Sequence, residues 1–176
     1  MKTFRANGKL LISGEYTILD GSLSLALPTE RGQVLHYKEV NQDILHWRSL
    51  DIKGETWFEA HFKGAELTIV DSSDERKAET LKEILLAAEG LSDSTKGLNG
   101  EVTTALEFPT NWGLGSSSTL LCCVAQCFGI DPIQLHFKVS NGSGYDVACG
   151  MSDLAITSHL EDGLVEVTDI NWKPAV

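Results

Sequence analysis

Alternating apolar and polar positions predict that the first part of the chain is rich in β-strands. Short apolar, β-branched or aromatic stretches occupy 4–12, 23–27, 33–40, 44–50 and 55–62. Pro28 predicts the end of the second stretch, and turns are expected at Asn41-Gln42 and Lys53-Gly54. Asn7-Gly8, inside the first stretch, predicts a turn or a β-bulge. The last three stretches therefore predict an antiparallel meander.

Helical spacing begins near residue 74. Apolar residues three and four apart predict a helix over 74–88, closed by Gly90: Ala78, Leu81, Ile84, Leu85 and Ala88. A polar loop over 91–99 and a strand over 100–108 follow. Further helices are predicted from the serines at 116–118 to about Phe128, and from Pro132 to about 137. Strand-like runs at 153–159 and 164–170 predict a terminal hairpin. Strands followed by mixed helices and strands indicate an α+β fold.

Composition narrows the range of partners. The 176 residues, 42% hydrophobic and 22% charged, predict one globular domain spanning 1–176. Acidic residues outnumber basic ones 25 to 14, giving a net charge of −11, and no Lys/Arg cluster interrupts this excess. We therefore expect no nucleic-acid partner, because a polyanion would be repelled. A single nucleotide held by main-chain amides and magnesium is compatible with this charge.

The sequence predicts a cytoplasmic protein that does not bind membranes. The first residues are not followed by an uncharged apolar region, and the apolar run at 120–125 is too short to span a bilayer. The cysteines lack metal-ligand spacing and are expected to be buried and reduced. The five histidines also share no metal-ligand spacing and receive no role: His36, His46, His61, His136 and His159.

A glycine- and serine-rich stretch at 113–119 runs directly into the apolar helix that follows it. Gly113 and Gly115 permit backbone conformations closed to other residues and remove side chains that would block a ligand. Ser116 to Ser118 are candidate N-caps, and the N–H groups of the first turn have no intrahelical partner. Together with the helix dipole, these donors predict an anion site, with phosphate as the preferred anion. An ordinary loop-to-helix junction capped by serines is the alternative.

Three segments together resemble the GHMP kinases, named for galactokinase, homoserine kinase, mevalonate kinase and phosphomevalonate kinase. The first has the pattern Lys-x-x-x-x-Gly-Glu-Tyr from Lys9 to Tyr16, and the second is the Gly-Leu-Gly-Ser-Ser core at 113–117. The third is Ser-Gly-Tyr-Asp-Val-Ala at 143–148. The first and third look closer to the mevalonate and phosphomevalonate branch. The resemblance covers nearly the whole chain and implies a mostly antiparallel sheet of about five strands with helices packed on one face.

The resemblance implies an ATP-dependent kinase with Mg²⁺ as its metal. The γ-phosphoryl group would pass to a hydroxyl or a phosphate of a mevalonate- or phosphomevalonate-like acceptor. The loop residues implied to wrap the ATP phosphates are Gly113, Leu114, Gly115, Ser116, Ser117 and Ser118. The Ser117 hydroxyl would also face the magnesium ion. Such catalysis consists mainly of positioning and charge stabilisation.

The resemblance also implies two catalytic residues and an acceptor site. Asp146 would take the proton of the acceptor hydroxyl or orient an acceptor phosphate. Lys9 would lower the pKa of the reacting group or neutralise charge on the transferred phosphoryl group. Glu15, Tyr16 and Gly144 would lie near the acceptor.

Each residue has a plainer structural interpretation. Lys9 is also consistent with a surface lysine beside a strand, Asp146 and Ser117 with helix caps, and Tyr16 with packing. The chain has neither a Gly-x-Ser-x-Gly elbow nor a Gly-x-x-x-x-Gly-Lys loop, which argues against a serine hydrolase and a Walker-type ATPase.

The chain departs from the family in two respects. Mevalonate kinases carry a magnesium-binding glutamate shortly before the catalytic aspartate, whereas 134–145 contains no carboxylate. The family also has a C-terminal domain, which we expect to be absent from this chain, so that the chain alone would be incomplete and inactive. Self-association or a separate chain would then complete the enzyme. The rival hypothesis is a non-catalytic domain of the same fold, as occurs in ribosomal, translation and chaperone proteins.

Overall fold

The computed structural model describes residues 1–14, 17, 22–93, 97–161 and 164–172. Eight strands form one sheet: β1 (Lys2–Ser13), β2 (Ser24–Glu39), β3 (Ile44–Leu50), β4 (Thr56–Lys63), β5 (Thr68–Ser72), β6 (Gly100–Leu106), β7 (Ala155–Glu161) and β8 (Leu164–Ile170). Four helices complete the described part: α1 (Glu75–Leu91), α2 (Ser116–Phe128), α3 (Pro132–Val139) and α4 (Tyr145–Met151).

The α+β class is confirmed, but the prediction of about five antiparallel strands is wrong. The sheet has eight strands in the order β5-β4-β3-β6-β2-β7-β8, with β1 paired to β2, and the β3–β6 pair is parallel. The long strand β2 explains the difference, because its C-terminal part pairs with β6 while its N-terminal part pairs with β7. One continuous strand thus joins the predicted meander to the terminal hairpin. Pro28 does not end β2, since it lies within the β1–β2 ladder.

The expected irregularity at Asn7-Gly8 is a β-bulge. Asn7 pairs with Gly32 and Gly8 pairs with Thr29, so Glu30 and Arg31 have no counterpart on β1. A side chain on Gly32 would overlap the carbonyl oxygen of Ala6. The absence of a Cβ therefore allows the two strands to approach closely where the register shifts.

The first three helices follow their sequence signals. Asp74 caps α1 by accepting a hydrogen bond from the Lys77 N–H, and the five predicted apolar positions of this helix are buried. Gly129, with φ of 69°, ends α2, and Asp131 caps α3 through the Ile133 N–H. α1 runs through Gly90 to Leu91, because Gly90 costs a helix stability without preventing it.

The core lies between the inner face of the sheet and the helices. Alternate residues of β3, β4 and β6 point inward and join the apolar faces of α1, α2 and α3 in one cluster. Its largest fully buried members include Leu35, Trp47, Phe62, Leu85 and Leu135. Phe58 also belongs to this core. None of the helices within the described residues is long and apolar enough to cross a membrane.

Glu107, directly after β6, ties the bulged region of β1 and β2 to the start of the glycine loop. Its Oε2 accepts hydrogen bonds from Arg5 Nη2 and from the Gly32 N–H, each at 2.8 Å. Arg31 Nη1 donates to the Glu107 carbonyl at 2.9 Å. Burial raises the pKa of the Glu107 carboxyl, but the bonds from Arg5 and Gly32 outweigh it and hold the pKa below its usual value.

We expect Glu107→Gln to lower the free energy of unfolding by about 1 kcal/mol at neutral pH, because a part-exposed ionic hydrogen bond is lost. A lowered folded-state pKa stabilises the fold above the unfolded carboxyl pKa, and this contribution disappears as pH falls through the folded value. The difference between wild type and variant should therefore shrink toward pH about 3. Urea denaturation at the two pH values measures it.

The control is Glu101→Gln, which removes an ion pair with Lys38 whose two side chains are more than half exposed. It should change stability less than Glu107→Gln does. Equal losses in the two variants, or a loss at Glu107 that does not depend on pH, would contradict the role given to this carboxylate.

Candidate active site

The glycine loop and the N-terminus of α2 form the centre of the site. A 3₁₀ turn at Thr110–Trp112 ends at Gly113, and Gly115 is the N-cap of α2; their φ angles are 70° and 83°. The helix begins at Ser116, so the predicted serine caps are wrong: the left-handed backbone of Gly115 makes the turn into the helix. Ser118 instead donates its hydroxyl to the Gly115 carbonyl at 2.9 Å.

Three main-chain donors at this helix start have no acceptor within the described residues. The first bond of α2 runs from the Thr119 N–H to the Gly115 carbonyl at 2.9 Å. The N–H groups of Ser116, Ser117 and Ser118 precede it, and no side chain caps them. Ser117 is exposed and Ser116 is half-buried. These donors and the positive end of the helix dipole give the loop the character of an anion site.

Lys9 lies directly against this loop. Its main-chain N–H donates to the Leu114 carbonyl at 2.9 Å, which attaches β1 to the loop. A Cβ on Gly115 would lie 3.2 Å from Lys9 Cγ and 3.4 Å from Cε, so the lysine side chain packs across this glycine. Lys9 Nζ then donates to the Tyr145 hydroxyl at 3.0 Å. Lys9 therefore lies between the glycine loop and the start of α4.

Asp146 lies in the first turn of α4, next to the tyrosine that binds Lys9. Gly144, buried and with φ of 76°, is the N-cap of this short helix, so the cap expected at Asp146 is wrong. One Asp146 carboxylate oxygen accepts a hydrogen bond from the adjacent Val147 N–H at 3.0 Å. The side chain is half-buried. Lys9, through Tyr145, and Asp146 thus both lie at the start of α4, although they are far apart in sequence.

The charges of Lys9 and Asp146 both act on buried thiols near the start of α4. Burial raises the pKa of the Cys149 thiol to about 12, while the Lys9 charge lowers it and the Asp146 charge raises it. Burial also raises the pKa of Cys122 on α2, and Asp146 adds to that shift. Asp146 is therefore near both α2 and Lys9. All four cysteines are unpaired in disulfides, and the three at positions 122, 123 and 149 are buried, as predicted.

An apolar cavity of about 340 Å³ lies beside the serines at the start of α2. Trp57, Phe58 and Leu120 contribute apolar walls, Ser116 and Ser117 line one side, and Arg76 and Lys77 also line it. Lys77 Nζ lies 5.5 Å from the centre of the Trp57 ring. Trp57 is 41% exposed.

A larger cavity of about 660 Å³ is less suited to an anionic ligand. It is lined by residues of the β2–β3 and β4–β5 connections and by α1, and its walls carry Glu39, Asp43 and Glu89. Carboxylates would repel a phosphate there. The smaller cavity adjoins unpaired amides and cationic side chains, and is therefore the better candidate for a nucleotide.

The site residues predicted from the sequence and those brought together in the described structure differ at several positions. Glu15 and Tyr16 lie outside the described residues. Tyr145 belongs to the third motif and is assigned no role from the sequence, although its hydroxyl accepts a hydrogen bond from Lys9. Its position next to Asp146 is the sequence feature that could have indicated a role in the site. His46 and His61 were given no role because their sequence spacing is uninformative, yet they are directly paired across β3 and β4.

Comparison with solved structures identifies kinases of the GHMP family as structural neighbours. The galactokinase of Lactococcus lactis, in complex with galactose, has a TM-score of 0.71 and 16% identity, over 98% of this chain and 48% of its own. The phosphomevalonate kinase of Streptococcus pneumoniae, in complex with phosphomevalonate and AMPPNP, has a TM-score of 0.65 and 18% identity, over 90% of this chain and 50% of its own. The mevalonate kinase of Methanococcus jannaschii has a TM-score of 0.66 and 9% identity, over 97% of this chain and 56% of its own.

These likenesses establish the fold of the chain. The α+β fold is that of a GHMP kinase domain, and the chain spans about half the length of each of these neighbours. No protein-family model and no curated protein matches the sequence. Sequence identities as low as these show neither the substrate of this chain nor its likeness to a particular branch of the GHMP kinases.

Gly115→Ala should destabilise the protein more than Gly113→Ala does. Each alanine meets a left-handed backbone, at a cost of about 1–2 kcal/mol. A Cβ at position 113 would meet nothing within 4 Å, whereas one at 115 would lie 2.5 Å from Ser118 Oγ and against the Lys9 side chain. Chemical denaturation of the two variants measures the difference. Equal destabilisation would show that Lys9 does not depend on the bare Gly115 Cα.

Proposed function

We propose that this chain, residues 1–176, is the N-terminal nucleotide-binding domain of an ATP-dependent small-molecule kinase of the GHMP type. One observation carries the proposal: Lys9 packs across Gly115 at a helix start where three main-chain N–H groups have no acceptor among the described residues. A cation beside unpaired amides suits a polyphosphate despite the net charge of −11. The kinase neighbours support the reaction class, and the neighbour in complex with AMPPNP supports a nucleotide ligand.

The nucleotide would span two adjoining parts of the site. Its phosphates would accept hydrogen bonds from Ser116, Ser117 and Ser118, and its base would enter the apolar cavity against Trp57. The cavity volume of about 340 Å³ is within the usual range for small-ligand sites. Because Ser116 and Ser117 line the cavity and also begin α2, one ligand can occupy both parts.

The donors present also suit Mg²⁺. The metal prefers oxygen ligands and retains several waters, so one or two protein oxygens beside the phosphates are sufficient. The Ser117 hydroxyl at the start of α2 would supply such an oxygen. When bound, the ion would neutralise charge that develops on the phosphates during transfer.

The reaction would use Lys9 and Asp146 in separate roles. Lys9 would stabilise negative charge on the transferred phosphoryl group, and Tyr145 would hold its ammonium group in place. Asp146 would accept the proton from an acceptor hydroxyl, or orient an acceptor phosphate. Gly144, Glu15 and Tyr16 would border the acceptor. The Glu-Tyr and Ser-Gly-Tyr-Asp segments favour a mevalonate- or phosphomevalonate-like acceptor, in a cytoplasmic enzyme completed by further protein.

Nucleotide binding is the direct test for this chain. Titration with Mg-ATP should raise the thermal midpoint and quench Trp57 fluorescence, and at 100 times Kd the stabilisation should be about 2.7 kcal/mol.

Lys9→Met should weaken binding about 10–100-fold, because a charge-assisted bond to phosphate is lost. Asp146→Asn should leave ATP affinity nearly unchanged but lower acceptor-dependent ADP release, where turnover is measurable, by roughly 100-fold.

Trp57→Phe is the control for the fluorescence signal, since it removes the reporter while preserving an aromatic wall. Its thermal shift with Mg-ATP should persist. No thermal shift at millimolar nucleotide would contradict the proposal and favour a non-catalytic domain of the same fold. Full ADP release by Asp146→Asn would remove that residue from the acid–base role.

A further inference from the structure

Two histidines and a glutamate meet on the outer face of the sheet, opposite the face that packs against the helices. His46 is on β3, and Glu59 and His61 are on β4. Their neighbours Leu45, Trp47, Phe58, Ala60 and Phe62 point inward and are buried. Because side chains alternate along a strand, the three polar residues share the opposite face. All three are half-buried.

The three side chains are within reach of one small ion. His46 and His61 are directly paired across the strands, and their rings stack with centroids 4.3 Å apart and planes inclined by 10°. His46 Nε2 donates to Glu59 Oε1 at 2.5 Å. The candidate ligand atoms, one from each residue, all lie within 4.8 Å of one another. Within the described residues, neither ring nitrogen of His61 has a hydrogen-bond partner.

Charged side chains of both signs surround the three residues. Strand pairing forms a row across the sheet in the order Lys38, Glu101, His46, His61 and Asp71. Paired residues share a face, so a carboxylate flanks the histidine pair on either side. Lys38 forms an ion pair with Glu101 at 3.2 Å, while Asp71 has no ion-pair partner within the described part of the chain. The row therefore places a carboxylate on each side of the two imidazoles, while Arg48, paired with Glu59, and Lys63 add positive charge on the same face.

We propose that His46, Glu59 and His61 bind a divalent transition-metal ion, with Zn²⁺ as the preferred metal. Two imidazole nitrogens and one carboxylate oxygen are a donor set that Zn²⁺ accepts in tetrahedral sites, with water as the fourth ligand. Imidazole ligands favour Zn²⁺ over Mg²⁺, so this site is chemically distinct from the proposed nucleotide site. The bound ion joins β3 to β4 on the outer face of the sheet.

Metal binding requires only a local change in the side chains. Ligand atoms about 2.0–2.1 Å from a tetrahedral ion are separated by about 3.3 Å, so His46 Nε2 and Glu59 Oε1 must move apart by less than 1 Å. The stacked rings must also tilt so that one nitrogen of each points to the ion. The His46 side chain is 29% exposed and the Glu59 side chain 41% exposed, which leaves room for this adjustment.

The test uses the whole chain after removal of metals with EDTA. Calorimetric titration with Zn²⁺ should give one site with a dissociation constant in the micromolar range, and millimolar Mg²⁺ should not compete. Titration with Co²⁺ should give visible bands typical of a tetrahedral site without thiolate-to-metal charge transfer. His61→Asn and Glu59→Gln should each weaken Zn²⁺ binding at least tenfold, since loss of outer-shell partners alone costs about 10–100-fold.

His36→Asn is the matched control, because it removes a histidine that is half-buried on β2 and bonded to Thr3. It should leave Zn²⁺ affinity unchanged. Absence of Zn²⁺ binding by the wild type, equal loss in His36→Asn and His61→Asn, or a thiolate band with Co²⁺ would each overturn the proposal. Mg-ATP binding by His61→Asn separates the two sites: it should equal that of wild type.

Discussion

The close contact between Lys9 and the bare Cα of Gly115 is the constraint on which the site depends. The contact requires a glycine, because the backbone is left-handed and a Cβ would press on both Lys9 and Ser118. It also requires β1 to lie beside the loop, which the bond between the Lys9 N–H and the Leu114 carbonyl secures. Glu107 binds Arg5 on β1 and Gly32 on β2 and so connects the segment after β6 to both strands.

The net negative charge of the chain opposes the binding of an anionic nucleotide. A chain with a net charge of −11 should repel a triphosphate, and long-range attraction is absent. In the proposed function, local donors would supply the binding energy: the α2 amides that have no acceptor in the described part of the chain, the ammonium group of Lys9, and the cationic side chains of Arg76 and Lys77 beside the apolar cavity. Short-range hydrogen bonds of this kind are screened by salt less than distant charges are.

Sequence patterns predicted the features that depend on local physics. The start of α1 near residue 74, the buried stripe of that helix and the end of α2 at Phe128 all follow from near neighbours in the chain. Strand pairing is non-local, so the continuity of β2 through Pro28, the parallel β3–β6 pair and the meeting of His46 with His61 were not predicted. Tyr145 was missed for the same reason, since its partner Lys9 is 136 positions away.

The most direct measurement of the central claim is an amide NMR titration of the chain with inorganic triphosphate, first without and then with Mg²⁺. The account predicts that the largest shifts occur at the N–H groups of Ser116, Ser117 and Ser118, with a further change at the Lys9 side chain. Largest shifts at a different part of the chain, or no shifts at millimolar triphosphate, would contradict the claim that this helix start binds phosphate.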